Sequence, residues 1–198
     1  KNIHKVFTNY LFFHNSSFLN IQKFEKIGFF GNFIRKKFKK RDSILISIGT
    51  ADFLGHEKLI KEILSYLNII KTNKIYLDPK IFKMISNPEK NICLANYTSK
   101  MYQELAVAII KPGFSTIENC FRHGVTPIAF SKNLNSEFNH NSRVIKKNNL
   151  GYISNDMCKT IKLAKKICNS TREQKKKFII HSKLKWNGEE NLLKELKK

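Results

Sequence analysis

The sequence predicts an α/β fold in which a parallel sheet is flanked by helices. Short runs rich in Ile, Leu and Val, bounded by Gly, Pro or Asp, recur along the chain, with amphipathic stretches of helical period between them. That alternation marks repeated βα units. A strand covered on both faces reads as a continuous apolar run, while its covering helix is apolar along one stripe only. Bulk composition agrees: the 198 residues are 41% hydrophobic, enough for one core and too much for a disordered chain.

The regular pattern opens near Asp42. Residues 43–48 read as a buried strand ended by Gly49. Residues 54–70 follow as a helix with Leu59, Ile60, Ile63, Leu64 and Leu67 on one face. Residues 74–77 form a short strand stopped by Asp78-Pro79, and residues 91–95 form another. A short helix over 100–105 leads into a strand over 106–110, which ends at Lys111-Pro112-Gly113. Residues 115–123 are helical, with Ser115 suited to cap the exposed N–H groups, and Gly124 ends the helix. A strand over 126–130, a helix over 137–148 and a strand over 151–154 come next, and helices fill the remainder. There is no internal repeat and no low-complexity linker. The first 30 residues fit less well: 6–13 is strand-like and aromatic, and Gly28 and Gly31 punctuate a turn before the basic run 35–41.

Charge restricts the partners without choosing one. With 37 Lys and Arg against 15 Asp and Glu the net charge is +22, a field that attracts nucleic acid, anionic lipid or phosphorylated substrates. A Lys-rich composition with solvated lysines explains the same surplus. Cys93, Cys120, Cys158 and Cys168 have no CxxC spacing and no His at zinc-ligand distance, so they read as small hydrophobes in a reducing compartment. No uncharged apolar stretch reaches the 18 or more residues a membrane span needs. The chain starts at Lys1 without a signal-like apolar segment, and the expectation is a fragment or one chain of a larger enzyme, cytoplasmic or at the inner face of a membrane.

In an open parallel sheet, ligands bind beyond the C-terminal ends of the strands. Two such ends carry phosphate-friendly chemistry. In 48–52 a strand runs into Gly49 and Thr50 before a helix. In 111–119, Gly113 permits close backbone approach, and Ser115 and Thr116 sit at a helix N-terminus whose dipole and free N–H groups suit a diphosphate. Glu118 or Asn119, about one turn in, can accept hydrogen bonds from a ribose diol. A plain helix start after a tight turn is the simpler reading of the same residues. Neither segment is a Walker loop or a GxGxxG fingerprint. Metal chemistry finds no support: Asp42, Asp52, Asp78 and Asp156 form no DxD pair, and His4, His14, His56, His123, His140 and His181 are scattered. No nucleophile elbow is present.

Residues 111–151 resemble the C-terminal domain of glycosyltransferase family 28. The features that carry the resemblance are Gly113-Phe114-Ser115-Thr116, Gly124, Pro127, Ile128-Ala129-Phe130, Asn141-Ser142 and Gly151. Upstream, Gly31-Asn32-Phe33-Ile34-Arg35 resembles the family's Gly-Asn-Pro-Val-Arg junction, and Gly49-Thr50 stands in the place of its Gly-Ser phosphate turn. The resemblance implies a GT-B architecture of two Rossmann-like domains, the donor being held mainly by the C-terminal one. It implies metal-independent transfer with inversion from a UDP-sugar, with no cofactor, to a lipid-linked or cell-envelope acceptor.

Carried over position by position, Arg35, Gly49 and Thr50 would meet the donor diphosphate, and Gly113, Ser115 and Thr116 would line the same pocket. The family's ribose-binding Glu falls at Asn119, with Glu118 one position early, so either residue is a candidate. Glu137-Phe138 replaces a polar pair that precedes the Asn-Ala motif, here Asn141-Ser142; Glu137 and Asn141 complete the candidate donor set. The expected organisation is residues 1–35 as the end of a preceding domain or a connection, 36–155 as the nucleotide-sugar-binding domain and 156–198 as C-terminal helices. An N-terminal acceptor domain or separate subunit would supply the general base, and an anionic membrane is a peripheral partner the charge allows. A nucleotide-sugar hydrolase of the same fold is the nearest alternative. A basic nucleic-acid-binding module is a third, for which only Phe33, Phe38 and Phe178 beside Lys runs speak.

Overall fold

The computed structural model describes residues 6–9, 24–34, 37–48, 56–70, 72, 74–130 and 136–197. Its main sheet has six parallel strands: β3 (Ser43–Ser47), β4 (Ile75–Leu77), β5 (Ile92–Leu94), β6 (Leu105–Ile110), β7 (Thr126–Phe130) and β8 (Tyr152–Ser154). They lie in the order β5-β4-β3-β6-β7-β8, so the chain winds outward from β3 in one direction, returns beside it at β6, and winds outward in the other. Ahead of it, β1 (Val6–Asn9) and β2 (Phe24–Ile27) form a separate parallel pair.

Helices cover both faces because the central strands are apolar on both. Ile44 and Ile46 point into one core with α1 (His56–Leu67), α2 (Pro79–Phe82) and α6 (Met157–Asn169). Leu45, Ala108 and Ile110 point into the other with α3 (Ser99–Glu104), α4 (Phe114–Arg122) and α5 (Ser136–Lys147). Ile44, Leu45 and Ile46 are all fully buried, at about 1.5–3 kcal/mol of transfer free energy for each side chain.

The expected elements from Ser43 onward are present with ends moved by up to three residues, the helix expected over 54–70 being described over His56–Leu67, and α2 is additional. Asp78 does stop β4, but it also caps α2: its Oδ1 accepts from Lys80 N and Ile81 N at 3.1 Å, with Pro79 pre-set for the first helical position. The strand expected over 6–13 is described only over Val6–Asn9, and β2 had no counterpart in the sequence reading.

Two further helices, α7 (Thr171–Ser182) and α8 (Gly188–Leu196), complete the chain. α7 runs under the N-terminal ends of the strands. Gln174 exchanges hydrogen bonds with the Arg41 backbone just before β3, at 3.0 and 2.8 Å. Lys177 Nζ donates to Asn149 O and Oδ1 at 2.8 and 2.7 Å, and His181 Nε2 donates to Leu150 O at 2.7 Å, both just before β8. Phe178 packs against Gly124 just before β7, where a positive φ of 64° and a missing Cβ admit the ring. Arg41 adds a second tie at this end, donating from Nη1 to His123 O at 2.8 Å and to Leu105 O at 3.3 Å.

The segment after β2 docks on this body. Phe29 is fully buried, stacked on Phe114 at 6.2 Å and packed against Trp186 at 5.1 Å. Its N–H donates to Lys185 O and its carbonyl accepts from Gly188 N, at 2.8 and 2.9 Å. Among the described residues no helix is long and apolar enough to cross a membrane.

Candidate functional site

The switch in winding direction opens a crevice. β3 leads toward α1 on one face and β6 leads into α4 on the other, so their C-terminal ends diverge, as ligand sites of open α/β sheets require. The floor of that crevice is tied together: Lys111 N donates to Ser47 O at 3.0 Å, and Gly113 N turns back to Lys111 O at 2.7 Å.

α4 starts at this floor. Its N-cap is Gly113, in extended conformation (φ −71°, ψ 141°), which has no side chain to cap the first turn. Ser115 therefore lies inside the first turn, which corrects its expected role as the cap; a Gly at that position leaves the helix start without a side-chain oxygen. The end of α4 that carries the positive pole of the dipole is thus offered to an anion. Among the described residues a Cβ on Gly113 would meet only Phe138 Cε1, at 3.8 Å.

α5 closes the crevice from the side. Phe138 lies beside Gly113 and carries the Lys111 ammonium over its ring at 4.7 Å, a cation–π contact that holds a positive charge at the mouth. Glu137 is exposed in the first turn of α5. Asn141 is buried and its Nδ2 donates to Pro112 O at 2.8 Å, so it shapes the Lys111-Pro112-Gly113 turn from behind.

The two ribose candidates part company on the helix surface. Phe114, Glu118 and Arg122 form one stripe, against the incoming segment: Glu118 Oε1 accepts from Phe30 N at 2.9 Å, and Arg122 Nε donates to Asn32 O at 3.2 Å. Burial raises the Glu118 carboxyl above its ordinary pKa, against the opposing pull of Phe30 N–H and Arg122. Ser115, Asn119 and His123 form the neighbouring stripe, toward α3. Asn119 Nδ2 donates to Ser115 O at 3.0 Å, leaving its Oδ1 as the acceptor on that face. His123 bonds Asn119 O at 2.8 Å and Ser99 Oγ at 2.9 Å, stacked on Tyr102; burial lowers its pKa and keeps it neutral.

Thr116 is half-buried in the first turn of α4. Arg35, Gly49 and Thr50 lie outside the described residues. Four residues at the crevice were not among the sequence candidates: Ser47, Tyr97, Lys111 and Phe138. Lys111 had a visible signal, a cation directly between a buried strand and a Gly turn. Phe138 stood beside Glu137 at the family's polar pair, and Ser47 and Tyr97 had no signal, because only the strand order brings them there. Among the described residues no three His, Cys, Asp or Glu side chains gather as a metal site.

Comparison with known proteins bears on this geometry. No protein-family model and no curated protein matches the chain. Solved structures do. The glycosyltransferase of kitacinnamycin superposes on 96% of this chain and 53% of its own, with a TM-score of 0.61 at 12% identity. MurG of Acinetobacter baumannii matches 81% of this chain and 51% of its own, with a TM-score of 0.57 at 13% identity. The spinosyn rhamnosyltransferase SpnG, solved with thymidine diphosphate, matches 81% and 46%, with a TM-score of 0.58 at 11% identity. The fold is that of one half of a GT-B glycosyltransferase. The chain spans about half the length of each of these structures.

Proposed function

We propose that the chain is the donor-binding half of a metal-independent, inverting glycosyltransferase that takes a nucleoside diphosphate sugar. One observation supports this most: the N-terminus of α4, with a Gly and no capping side chain at its N-cap and only Phe138 near that Gly among the described residues, stands at the β3/β6 crevice of a GT-B-like fold. The diphosphate would lie on the first-turn N–H groups of α4, with Ser115 and Thr116 hydroxyls beside it and the Lys111 ammonium at the mouth. Asn119 Oδ1 would accept from the ribose diol, since Glu118 Oε1 is already engaged by Phe30 N. Arg35, Gly49 and Thr50 would complete the phosphate shell, as the resemblance implies. Asn141 acts behind the turn.

The reaction is a single displacement. The acceptor hydroxyl attacks the anomeric carbon, the bond to the diphosphate oxygen breaks, and the diphosphate leaves with the electron pair. The contribution of these residues is to stabilise that leaving charge, the kind of fixed dipole that removes several kcal/mol from a barrier. A second half of the enzyme would hold a lipid-linked or cell-envelope acceptor and the base that takes its proton. A cytoplasmic location at the inner membrane face, with the basic runs toward anionic lipid, would suit such an acceptor.

Calorimetric titration of the chain with UDP, thymidine diphosphate and single-stranded nucleic acid at moderate salt tests the reading. Binding of a nucleoside diphosphate that weakens in Thr116→Val supports it. Salt-steep binding of nucleic acid with no response to either nucleotide would sink it.

A further inference from the structure

One non-glycine residue at the crevice is held in a conformation that ordinary side chains avoid. Tyr97, in the loop between β5 and α3, has φ +54°. Such left-handed residues are strained and persist where the surroundings over-determine them, often at ligand sites. Here the surroundings do. Asn96 Oδ1 accepts from Thr98 N at 3.2 Å and from Thr98 Oγ1 at 2.9 Å, and Thr98 Oγ1 in turn accepts from Met101 N at 3.3 Å to cap α3. Just ahead, Ala95 N donates to Leu77 O at 2.8 Å, fastening the loop to the end of β4.

The consequence is a long reach. From beyond β5, the phenol passes β4 and ends at β3, its hydroxyl 3.1 Å from Ser47 Oγ. The carbonyl of the same Ser47 accepts from Lys111 N, so Tyr97 meets the floor of the crevice on the face that also carries α4. The ring is still 42% exposed, which a residue serving only to fill the core would not be.

Two hydroxyls carry two protons. One closes the 3.1 Å bond between Tyr97 and Ser47, and the other has no partner among the described residues. The nearby carboxylate does not take it. Asp78 Oδ2 accepts from Ile48 N at 2.8 Å, and its Oδ1 is occupied by the α2 cap. Burial holds the phenol above its ordinary pKa, with Asp78 adding to the rise against the Ser47 bond, so the pair stays protonated at neutral pH.

We propose that Tyr97, set by Ser47, is a donor-binding residue that gives this spare hydroxyl hydrogen bond to the diphosphate of the nucleotide sugar. The inference rests on the donor-site reading above and adds a ligand from the β3 side of the crevice floor, across from the start of α4. A hydrogen bond to a charged group of this kind is worth on the order of a ten-fold change in affinity or more.

The test is calorimetric titration of the full chain and of Tyr97→Phe and Ser47→Ala with UDP, thymidine diphosphate and uridine, with melting temperatures taken in parallel. The expected result is a roughly ten-fold or greater loss of diphosphate affinity in Tyr97→Phe and a smaller loss in Ser47→Ala. Uridine binding and the melting temperature should stay near those of the parent. Diphosphate affinity unchanged in Tyr97→Phe overturns the proposal. So does an equal loss for uridine and UDP, which would make Tyr97 a wall for the nucleoside only. If the parent chain binds neither diphosphate, the donor-site reading itself fails, and that failure shows before any variant is compared.

Discussion

Replacing Gly113 by Ala separates folding from binding at the candidate site. Gly113 has φ −71° and ψ 141°, which alanine adopts without strain, and among the described residues the new methyl would meet only Phe138 Cε1 at 3.8 Å, an ordinary contact. Losing glycine's freedom in the unfolded chain stabilises by about 0.4–1 kcal/mol. Alanine is a poorer N-cap than glycine by a similar amount. The two offset, so the stability of Gly113→Ala should stay within about 0.5 kcal/mol of the parent. On the proposed donor site the ligand would feel the methyl differently, because it would stand where a diphosphate approaches the α4 N–H groups. Loss of one such charge-assisted bond costs about 1.5–3 kcal/mol, or roughly ten- to hundred-fold in affinity for UDP or thymidine diphosphate. Gly124→Ala is the contrast. There φ is +64° and the added methyl would collide with the Phe178 ring. Left-handed strain of about 1–2 kcal/mol and overpacking of about 1–3 kcal/mol should lower the melting temperature by roughly 5–15 °C with nucleotide affinity kept. Calorimetry of both variants decides. Gly113→Ala with undiminished affinity, or with a melting temperature as low as that of Gly124→Ala, would refute the reasoning.

The remaining predictions concern the scaffold and the two ribose candidates. His181 is fully buried, its Nδ1 has no hydrogen-bond partner, and burial pulls its pKa down to about 4 from 6.5. The unfolded chain therefore binds the extra proton first: stability is fully present above pH 6.5 and falls, by up to about 3 kcal/mol, as pH drops toward 4. His181→Leu, though less stable at pH 7 for want of the bond to Leu150 O, should lose less on acidification than the parent in denaturant melts. Equal losses would show that His181 is not the group that titrates. Arg41→Met leaves the Leu105 and His123 carbonyls without their Nη1 donor and should cost about 2–4 kcal/mol in urea unfolding, with no direct effect on nucleotide binding. Asn119→Leu should weaken UDP binding several-fold at nearly unchanged stability, whereas Glu118→Ala should chiefly loosen the 28–34 segment and lower stability by about 1 kcal/mol. The reverse pattern would restore Glu118 as the ribose ligand.

How the candidate site divides between sequence and structure is clear from α4. Gly113, Ser115 and Thr116 were legible because a Gly-turn and hydroxyls at the start of a helix are local features within four residues. Which of Glu118 and Asn119 looks into the crevice was not, since adjacent positions on a helix differ by about 100° and the register depends on where the helix begins. Gly113, not Ser115, proved to be the cap, and that choice puts Glu118 against Phe30 and Asn119 on the stripe toward α3.

The α/β class and, apart from α2, the strand and helix sequence from Ser43 onward follow from the sequence by itself. Each rests on contacts or periodicities among residues close in the chain, such as the buried runs of β3 and β6 or the stripe Leu59, Ile60, Ile63 and Leu67. The strand order does not. Whether β6 returns beside β3 is a pairing between residues some 60 positions apart, written in no local pattern. That pairing makes the crevice and joins Lys111 to Ser47, while the β5-β4-β3 order on the other side lets Tyr97 reach Ser47 across β4. Beneath the sheet, Lys177 and His181, polar residues on a helix of otherwise mixed character, find the acceptors of Asn149 and of the buried Leu150. Side chains such as these have a role only once long-range packing supplies the partner, which is why tertiary structure alone could assign one.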